Sequence, residues 1–373
     1  MKKQLVSLVV LVLLAFTALW GCGTGGGSWI PSNLFAVVVG VDAGYTSANV
    51  STVDLKSGDF TVSPSVLSGF CGDTIVKTHK NYVLLIERPS WGTVPSPVHL
   101  YEAGSWEVPL KEYNLGKNVH DVVFVDEEVA YAIQWGESYV EKFNPLTGED
   151  LGKINLSSYD TDDIPNMDKG AYVNGKLFVT LQRMDSETYS YDTGMVVAID
   201  TDSDQISCPI ELNGKNPQDI DYYAGKLYVT ELGNYFDAFD DVIDVIDVNS
   251  GEVNELVSAP LGNEGMDIYA IEITSDGEGY LLGGKWETSA VFKVYKLNLE
   301  TGGVDPDPIY SGGYITSIKY DPVSGYLLIL DRGTGAGDGK LVIYDPALKS
   351  IVRQIPEEDL GYPPYSVDIS AFD

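Results

Sequence analysis

Acidic and basic residues recur at one position of a long sequence repeat, where their side chains could share a site. The position returns about every 50 residues, and five of its seven occupants are aspartate. The occupants are Asp73, Asp121, Lys169, Asp219, Asp267, Ser317 and Asp368. Carboxylates brought together repel one another unless each is protonated, bound to a cation or satisfied by backbone N–H groups. The pattern is therefore compatible with three roles: fixing turns, holding a cation such as Ca²⁺, or binding a polar ligand.

Signatures of catalysis are few. Among the three histidines, His120 alone precedes a recurring aspartate, Asp121. Such a histidine can act as a general base or a metal ligand, but it is more often a hydrogen-bonded surface residue. Glu231 ends a predicted strand near the same opening and is a further candidate for binding a ligand or cation. The sequence has no Gly-x-Ser-x-Gly, His-Glu-x-x-His or Cys-x-x-Cys-His motif. No residue is therefore assigned a catalytic role.

Short strands are the elements that must position these residues. The segment NGKLFVT at 174–180 returns as AGKLYVT at 224–230. A Gly-Lys turn followed by alternating apolar and β-branched residues is typical of a strand that leaves a tight hairpin. No helical periodicity follows residue 22, and about four short strands in each repeat indicate a β-propeller. Seven repeats can be counted, so the sequence predicts an all-β, seven-bladed β-propeller.

The two ends of the repeat array are incomplete in complementary ways. The strands follow the same order in each repeat. The first unit begins with the strand that is second in this order, at Leu34, and the chain ends with a lone strand of the first kind over 365–372. Pairing these ends would leave the ring without an open edge. We therefore expect the C-terminal strand to become the innermost strand of the first blade, within one domain spanning 33–373.

One repeat resembles a known family. It contains KNPQDI at 215–220, GKLYVT at 225–230 and VIDVNSG at 245–251. These segments resemble the YVTN-type seven-bladed propeller repeats of exported bacterial and archaeal proteins. The repeat with FVT at 178–180 matches as well, and the motif's Asn is replaced by Leu181 there and by Glu231 in the first repeat. The resemblance implies the propeller fold and an extracytoplasmic location. It carries over no catalytic residues, because members of the family do not share one activity.

The first residues resemble a bacterial lipoprotein signal peptide. Basic residues at positions 2 and 3 precede an apolar stretch over 5–20, and Cys22 follows a glycine. The resemblance implies lipidation at Cys22 and a signal peptide over 1–21. The Gly-rich run GTGGGS at 23–28 predicts a flexible tether over 22–32. The apolar stretch is shorter than the ~20 residues that span a bilayer. We therefore expect a lipid-anchored protein of the bacterial cell envelope, on the periplasmic face of a membrane or on the cell surface.

Composition limits the kinds of partner. The chain has 23 basic and 55 acidic residues, for a formal net charge of -32. Such a surface repels nucleic-acid phosphates and anionic lipid head groups. We therefore expect no nucleic-acid partner, and membrane contact only through the N-terminal lipid.

One face of the predicted propeller carries most candidate binding residues. In a propeller blade, the loop that precedes the innermost strand and the loop that follows the second strand lie on this same face. Several of the loops that follow second strands are long. Long loops on a rigid scaffold are where binding residues concentrate. Aromatic and arginine candidates on this face are Arg88, Trp91, Trp135, Arg183, Tyr189, Tyr191, Tyr235, Phe236, Trp286 and Arg332.

The sequence favours a binding role over catalysis. Aromatic and Arg anchors suit a protein or peptide partner, and a small polar ligand fits the same residues. We therefore expect a non-catalytic binding or assembly scaffold that acts through the loop-rich face. The alternative is a metal-dependent hydrolase or lyase, acting on a lactone or sugar at the channel mouth.

Overall fold

The computed structural model describes residues 31–207, 209–235, 240–258, 261, 265–286, 290–335 and 337–373. Within them, 28 strands form seven four-stranded antiparallel sheets, so the predicted seven-bladed propeller is confirmed. The predicted signal peptide, Cys22 and most of the tether lie outside the described residues. In the described part of the chain, no helix is long and apolar enough to cross a membrane.

Each blade consists of four strands that follow one another from the channel outward. Blade 1 contains β1 (Asn33–Val41), β2 (Ala48–Asp54) and β3 (Val62–Phe70). Blade 2 contains β4 (Thr74–His79), β5 (Tyr82–Glu87), β6 (Pro95–Glu102) and β7 (Lys111–Lys117). Blade 3 contains β8 (Val119–Phe124), β9 (Ala130–Gln134), β10 (Tyr139–Asn144) and β11 (Glu149–Asn155). Blade 4 contains β12 (Met167–Val173), β13 (Lys176–Leu181), β14 (Thr193–Asp200) and β15 (Ile210–Lys215).

The remaining blades follow the same order. Blade 5 contains β16 (Pro217–Tyr223), β17 (Lys226–Glu231), β18 (Val242–Asp247) and β19 (Val253–Val257). Blade 6 contains β20 (Asp267–Ile273), β21 (Glu278–Trp286), β22 (Ala290–Asn298) and β23 (Tyr310–Gly312). Blade 7 contains β24 (Ile315–Tyr320), β25 (Leu327–Asp331), β26 (Lys340–Asp345) and β27 (Ser350–Pro356). A 3₁₀ turn at Ser157–Tyr159 and a short helix at Glu357–Leu360 lie between strands, and β28 (Pro364–Phe372) completes blade 1.

The repeated hairpins form because two residues in each accept a left-handed backbone. The φ angles are 51° and 78° at Asn174 and Gly175, and 49° and 86° at Ala224 and Gly225. A two-residue turn with positive φ at both positions matches the twist of antiparallel strands. The predicted hairpins at these two places are therefore confirmed.

The core lies between neighbouring blades. Leu177 and Val179 of β13 pack with Tyr131 and Ile133 of β9, and all four side chains are fully buried. A second strand contacts a blade on each side, so its residues are apolar in succession rather than alternating. The outermost strands are more exposed, as β19 shows. Stacking between blades therefore fixes the ring and the positions of the innermost strands.

The two ends of the described chain meet in one sheet. β28 pairs antiparallel with β1, from Asn33 opposite Phe372 to Gly40 opposite Pro364. The C-terminal strand is thus the innermost strand of blade 1, as predicted, and the ring is closed. Because β28 begins at the loop-rich face and ends at the opposite face, Asn33 also lies at that opposite face.

Candidate ligand-binding site

A cavity of about 830 Å³ occupies the central channel. Its lining comes from the innermost strands of all seven blades. Trp135 and Gln182, which follow second strands β9 and β13, line the same cavity. The two kinds of loop therefore meet on one face, as the sequence predicted, and the volume suits a small ligand.

The upper wall of the cavity is formed by a repeated irregularity. Innermost strands β8, β12, β16, β20 and β24 each shift register against their second strand near their first residues. A β-bulge of this kind re-aims a side chain. We call the five residues turned into the cavity the bulge tier: His120, Asp168, Gln218, Tyr269 and Thr316.

Four side chains at the mouth form a continuous hydrogen-bond chain between blades 3 and 4. His120 Nδ1 lies 2.6 Å from Asp168 Oδ1. Gln182 Nε2 donates to Asp168 Oδ2 at 2.8 Å, and Trp135 Nε1 donates to Gln182 Oε1 at 2.8 Å. The rings of His120 and Trp135 stack, with centroids 6.1 Å apart and an interplanar angle of 16°. These contacts fix the orientation of both rings.

The chain also sets the protonation of His120. Burial lowers the pKa of His120, and Asp168 offsets part of this lowering, so the imidazole is neutral at pH 7. A carboxylate accepts hydrogen bonds, so we assign the imidazole proton to Nδ1. Nε2 is then an acceptor, and no described residue hydrogen-bonds to it. Because His120 lines the cavity, this lone pair is available to a ligand.

A ring of residues lies directly below the bulge tier, and we call it the ring tier. Hydrogen bonds between blades show which residues occupy equivalent positions. An aspartate of the ring accepts a hydrogen bond from a backbone N–H of the next blade, and the residue just before that N–H is the ring member of the next blade. Its members are Lys77, Asp121, Lys169, Asp219, Ala270, Ser317 and Asp368. Five of the seven residues predicted from the repeat therefore lie together around the channel.

The residue predicted for the repeated position was wrong in two blades. β4 pairs without a bulge, and Lys77 takes the position expected for Asp73. Asp73 instead precedes β4 and accepts hydrogen bonds from Arg88 and Tyr365. Asp267 begins β20 and is buried outside the cavity lining, because the bulge in that strand follows it and brings Ala270 to the channel.

The ring-tier aspartates bind backbone groups. In each, one oxygen accepts the N–H of the next residue in its own strand, and the other accepts an N–H from the next blade. These two distances are 2.9 and 3.1 Å for Asp121, 3.0 and 3.1 Å for Asp219, and 2.9 and 2.8 Å for Asp368. The structure thus shows that these aspartates join blades, and ligand binding by them stays a prediction.

Two residues further along three strands, Asp221, Glu272 and Lys319 form a lower tier of the cavity. Lys319 Nζ lies 3.1 Å from Glu272 Oε1. Burial raises the pKa of Glu272 to about 7 despite the opposing effect of Lys319. Burial likewise raises the pKa of Asp219 above this tier to about 6, which Lys169 opposes. One carboxyl group in the lower tier and one in the ring tier therefore hold their protons to a higher pH than exposed acids do.

The basic residues of the ring tier are flanked by carboxylates. Lys77 forms an ion pair with Asp121. Burial acts to raise the pKa of Asp121, but Lys77 and Lys169 outweigh it and lower the value. Lys169 makes no salt bridge with a described residue, and it offsets part of the rise that burial causes in the pKa of Asp219. Asp121 is therefore ionised at neutral pH.

The arrangement does not resemble a metal centre. Among the described residues, no group of three or more His, Cys, Asp and Glu side chains is placed to hold a metal ion. Calcium takes six to eight oxygen ligands that converge on one point, and no such group of carboxylates occurs among the described residues. The geometry therefore gives no support to the Ca²⁺ option considered from the sequence.

The predicted loop-face residues fall into distinct environments. Trp135, Tyr191 and Tyr235 line the cavity. Trp91 and Tyr189 lie outside the cavity lining and are each 74% exposed. Phe236 and the side chain of Trp286, at the end of β21, are outside the described residues.

The three predicted arginines are held by the protein itself. Arg88 binds Asp73 and Tyr365. Arg183 donates to the carbonyl oxygens of Tyr159 and Thr193. Arg332 donates to those of residues 41, 42 and 363, and so ties blade 7 to blade 1. None of these three arginines is in the cavity lining.

Glu231 is not at the channel. It ends β17, is fully buried, and packs against Gly214 of the preceding blade. Burial and the nearby Asp244 carboxylate raise the pKa of Glu231 well above its usual value. The corresponding residues Glu87 and Asp331 end their second strands and accept N–H groups from the preceding blade. This position therefore serves contacts between blades, which the sequence did not reveal.

Comparison with known proteins agrees with this architecture. No protein-family model and no curated protein matches the chain. A protein from Lactobacillus plantarum superposes with a TM-score of 0.62 at 12% identity, covering 90% of this chain and 99% of that chain. A candidate 6-phosphogluconolactonase from Bacteroides fragilis gives 0.59 at 11%, covering 91% and 98%. The WD40 domain of Toxoplasma gondii coronin gives 0.54 at 10%, covering 88% and 77%. At these identities the likeness shows the propeller fold alone.

Proposed function

We propose that the protein is a non-catalytic binding propeller whose ligand is a small polar molecule held in the central cavity. The observation that carries this proposal is the hydrogen-bond chain through His120, Asp168, Gln182 and Trp135. It presents a fixed aromatic surface and a fixed acceptor atom to the cavity before any ligand arrives. Preorganised groups of this kind lower the ordering cost of binding.

The proposed location is outside the cytoplasm, on a lipid anchor at Cys22. The support is the signal-like sequence over 1–21 and the resemblance of residues 215–251 to YVTN-type repeats of exported proteins. Metabolic labelling of the expressed protein with a fatty acid tests the anchor. The label should appear on the wild type and be lost in Cys22→Ser. A wild-type protein that carries no label would contradict this part of the proposal.

Thermal unfolding with a panel of small polar compounds tests the binding site. Sugars, amino acids, amines and carboxylates are each added to the purified full-length protein in a nonionic detergent. At least one compound should raise the melting temperature of the wild type and of Trp91→Ala, but not of Trp135→Ala. Trp91 is the matched control because it lies on the loop face outside the cavity. Stabilisation that does not depend on Trp135 would overturn the proposal.

The metal-dependent hydrolase has weaker support. It requires three or four ligands that converge on one ion and an open coordination position. The described residues offer no such group. Fold similarity to a candidate 6-phosphogluconolactonase at 11% identity does not transfer an activity.

A further inference from the structure

The cavity has an excess of negative charge. Its lining contains six carboxylic acids and three lysines. The acids are Asp121, Asp168, Asp219, Asp221, Glu272 and Asp368, and the bases are Lys77, Lys169 and Lys319. Two of the lysines are already paired with cavity carboxylates. A molecule that enters therefore meets a negative potential, which low-dielectric walls strengthen.

Three of the carboxylates have no cationic partner at salt-bridge distance among the described residues. Asp219, Asp221 and Asp368 accept only backbone N–H groups, two each, at 2.7 to 3.1 Å. A carboxylate oxygen can accept two hydrogen bonds, so each still has acceptor capacity. The N–H groups also fix these side chains at the cavity wall. They are therefore oriented acceptors that lack a charged donor.

The mouth adds acceptor and aromatic groups that are independent of the acidic residues. The Nε2 atom of His120 is an acceptor that no described residue uses. Tyr191, Tyr235 and Tyr314 line the cavity together with Trp135. The faces of Tyr and Trp rings attract cations, and the attraction grows when water is excluded. The acceptor atoms, the negative charge and the aromatic rings all favour a cationic ligand that carries hydrogen-bond donors.

We propose that the cavity selects a small organic ammonium ion. The ion donates hydrogen bonds to Asp219, Asp221 and Asp368, and its carbon chain lies against the aromatic rings at the mouth. This rests on the proposed function and names the ligand class for that same site. A bare metal ion is a poorer fit, because no described group of three donors converges on one point. An anion would lose hydration and gain only Lys169 as an unpaired basic group of the lining.

A matched series of three compounds tests the inference. The compounds are 1,5-diaminopentane, 1,5-pentanediol and glutarate, which share a five-carbon length and differ in charge. Each is titrated by calorimetry into the full-length protein in detergent at about pH 8, where Asp219 and Glu272 are ionised. The diamine should bind, the diol and glutarate should bind at least ten-fold more weakly, and added salt should weaken diamine binding.

Substitutions locate the binding. Asp221→Asn should weaken diamine binding by about ten-fold or more, because a hydrogen bond to a charged group is lost. Asp247→Asn is the matched control, since Asp247 also accepts two backbone N–H groups but lies in an exposed outer turn. Unchanged affinity in Asp221→Asn would overturn the inference.

The outcomes separate this inference from the function on which it rests. Binding of glutarate or the diol in preference to the diamine, lost in Trp135→Ala, would overturn the cation inference and uphold the binding site. Absence of diamine binding at millimolar concentration would also overturn the inference. Diamine binding that survives both Trp135→Ala and Asp221→Asn would overturn both proposals.

Discussion

Replacing Asp219 by asparagine tests how much the cavity penalises a buried charge. The substitution keeps the shape of the side chain and removes its charge. Burial raises the pKa of Asp219 from 3.8 to about 6. Each pKa unit corresponds to about 1.4 kcal/mol, so the folded protein loses about 3 kcal/mol when this carboxyl ionises. This figure is an upper limit, because Asp219 is only partly buried and solvent exposure screens a charge.

The sign of the pH dependence follows from the raised pKa. The pKa of Asp219 in the unfolded chain is 3.8. Its contribution to stability is therefore fully present below pH 3.8 and is lost as the pH rises through about 6. The free energy of unfolding of the wild type, minus that of Asp219→Asn, should therefore fall by up to about 3 kcal/mol over this range. A constant offset of about 1 kcal/mol is expected as well, because asparagine accepts only one of the two N–H groups.

Urea unfolding, followed by tryptophan fluorescence at a series of pH values, measures this difference. Asp247→Asn provides a control of opposite sign. Hydrogen bonds from the backbone and side chain of Ser250 lower the pKa of Asp247, so its stabilising effect should be lost as the pH falls. A difference curve for Asp219→Asn that is flat, or that rises with pH, would refute the reasoning.

Three further outcomes are expected. The ¹⁵N NMR spectrum of His120 should show a neutral ring with its proton on Nδ1, and a pKa below 6.5 because burial disfavours the charged form; a pKa above 6.5 would contradict the description of the mouth. Arg332→Ala should lower the free energy of unfolding by about 3 kcal/mol, because it removes the hydrogen bonds by which a buried guanidinium joins two blades, whereas the exposed Arg353→Ala should change it by less than about 0.5 kcal/mol. Deletion of residues 364–373 should abolish the cooperative unfolding transition, because blade 1 loses its innermost strand and the ring is no longer closed, while removal of Asp373 alone should not.

The fold was predictable because its signals are local. Each hairpin is specified by a few adjacent residues, such as Asn174 and Gly175, and the spacing of about 50 residues repeats those signals along the whole chain. Ring closure was also predictable, since the array begins one strand late at Leu34 and ends with one strand too many. No contact between distant residues had to be known in advance.

The site was only partly predictable because it depends on bulges. The bulge tier exists since one extra residue in a strand turns inward, and this brings His120 against Asp168 of the next blade. Nothing in the sequence separates Asp267, which precedes its bulge, from the otherwise similar Asp219. The lower tier did have a signal. Asp221 follows Asp219 by two residues, and alternate residues of a strand face the same side.

Burial accounts for the failure at Glu231. A glutamate at the end of a strand looks like a surface ligand in the sequence, and only the stacking of blades shows that the preceding blade covers it. Such covered polar residues are inferred from tertiary packing rather than from any local pattern.

The pairing of β28 with β1 also fixes how the ring can be mounted. The chain enters the ring at Asn33, on the face opposite the cavity mouth. A segment that precedes Asn33 therefore joins the ring at the face opposite the cavity mouth. A pull on the tether would load β1 along its length, where strands on both sides resist it together.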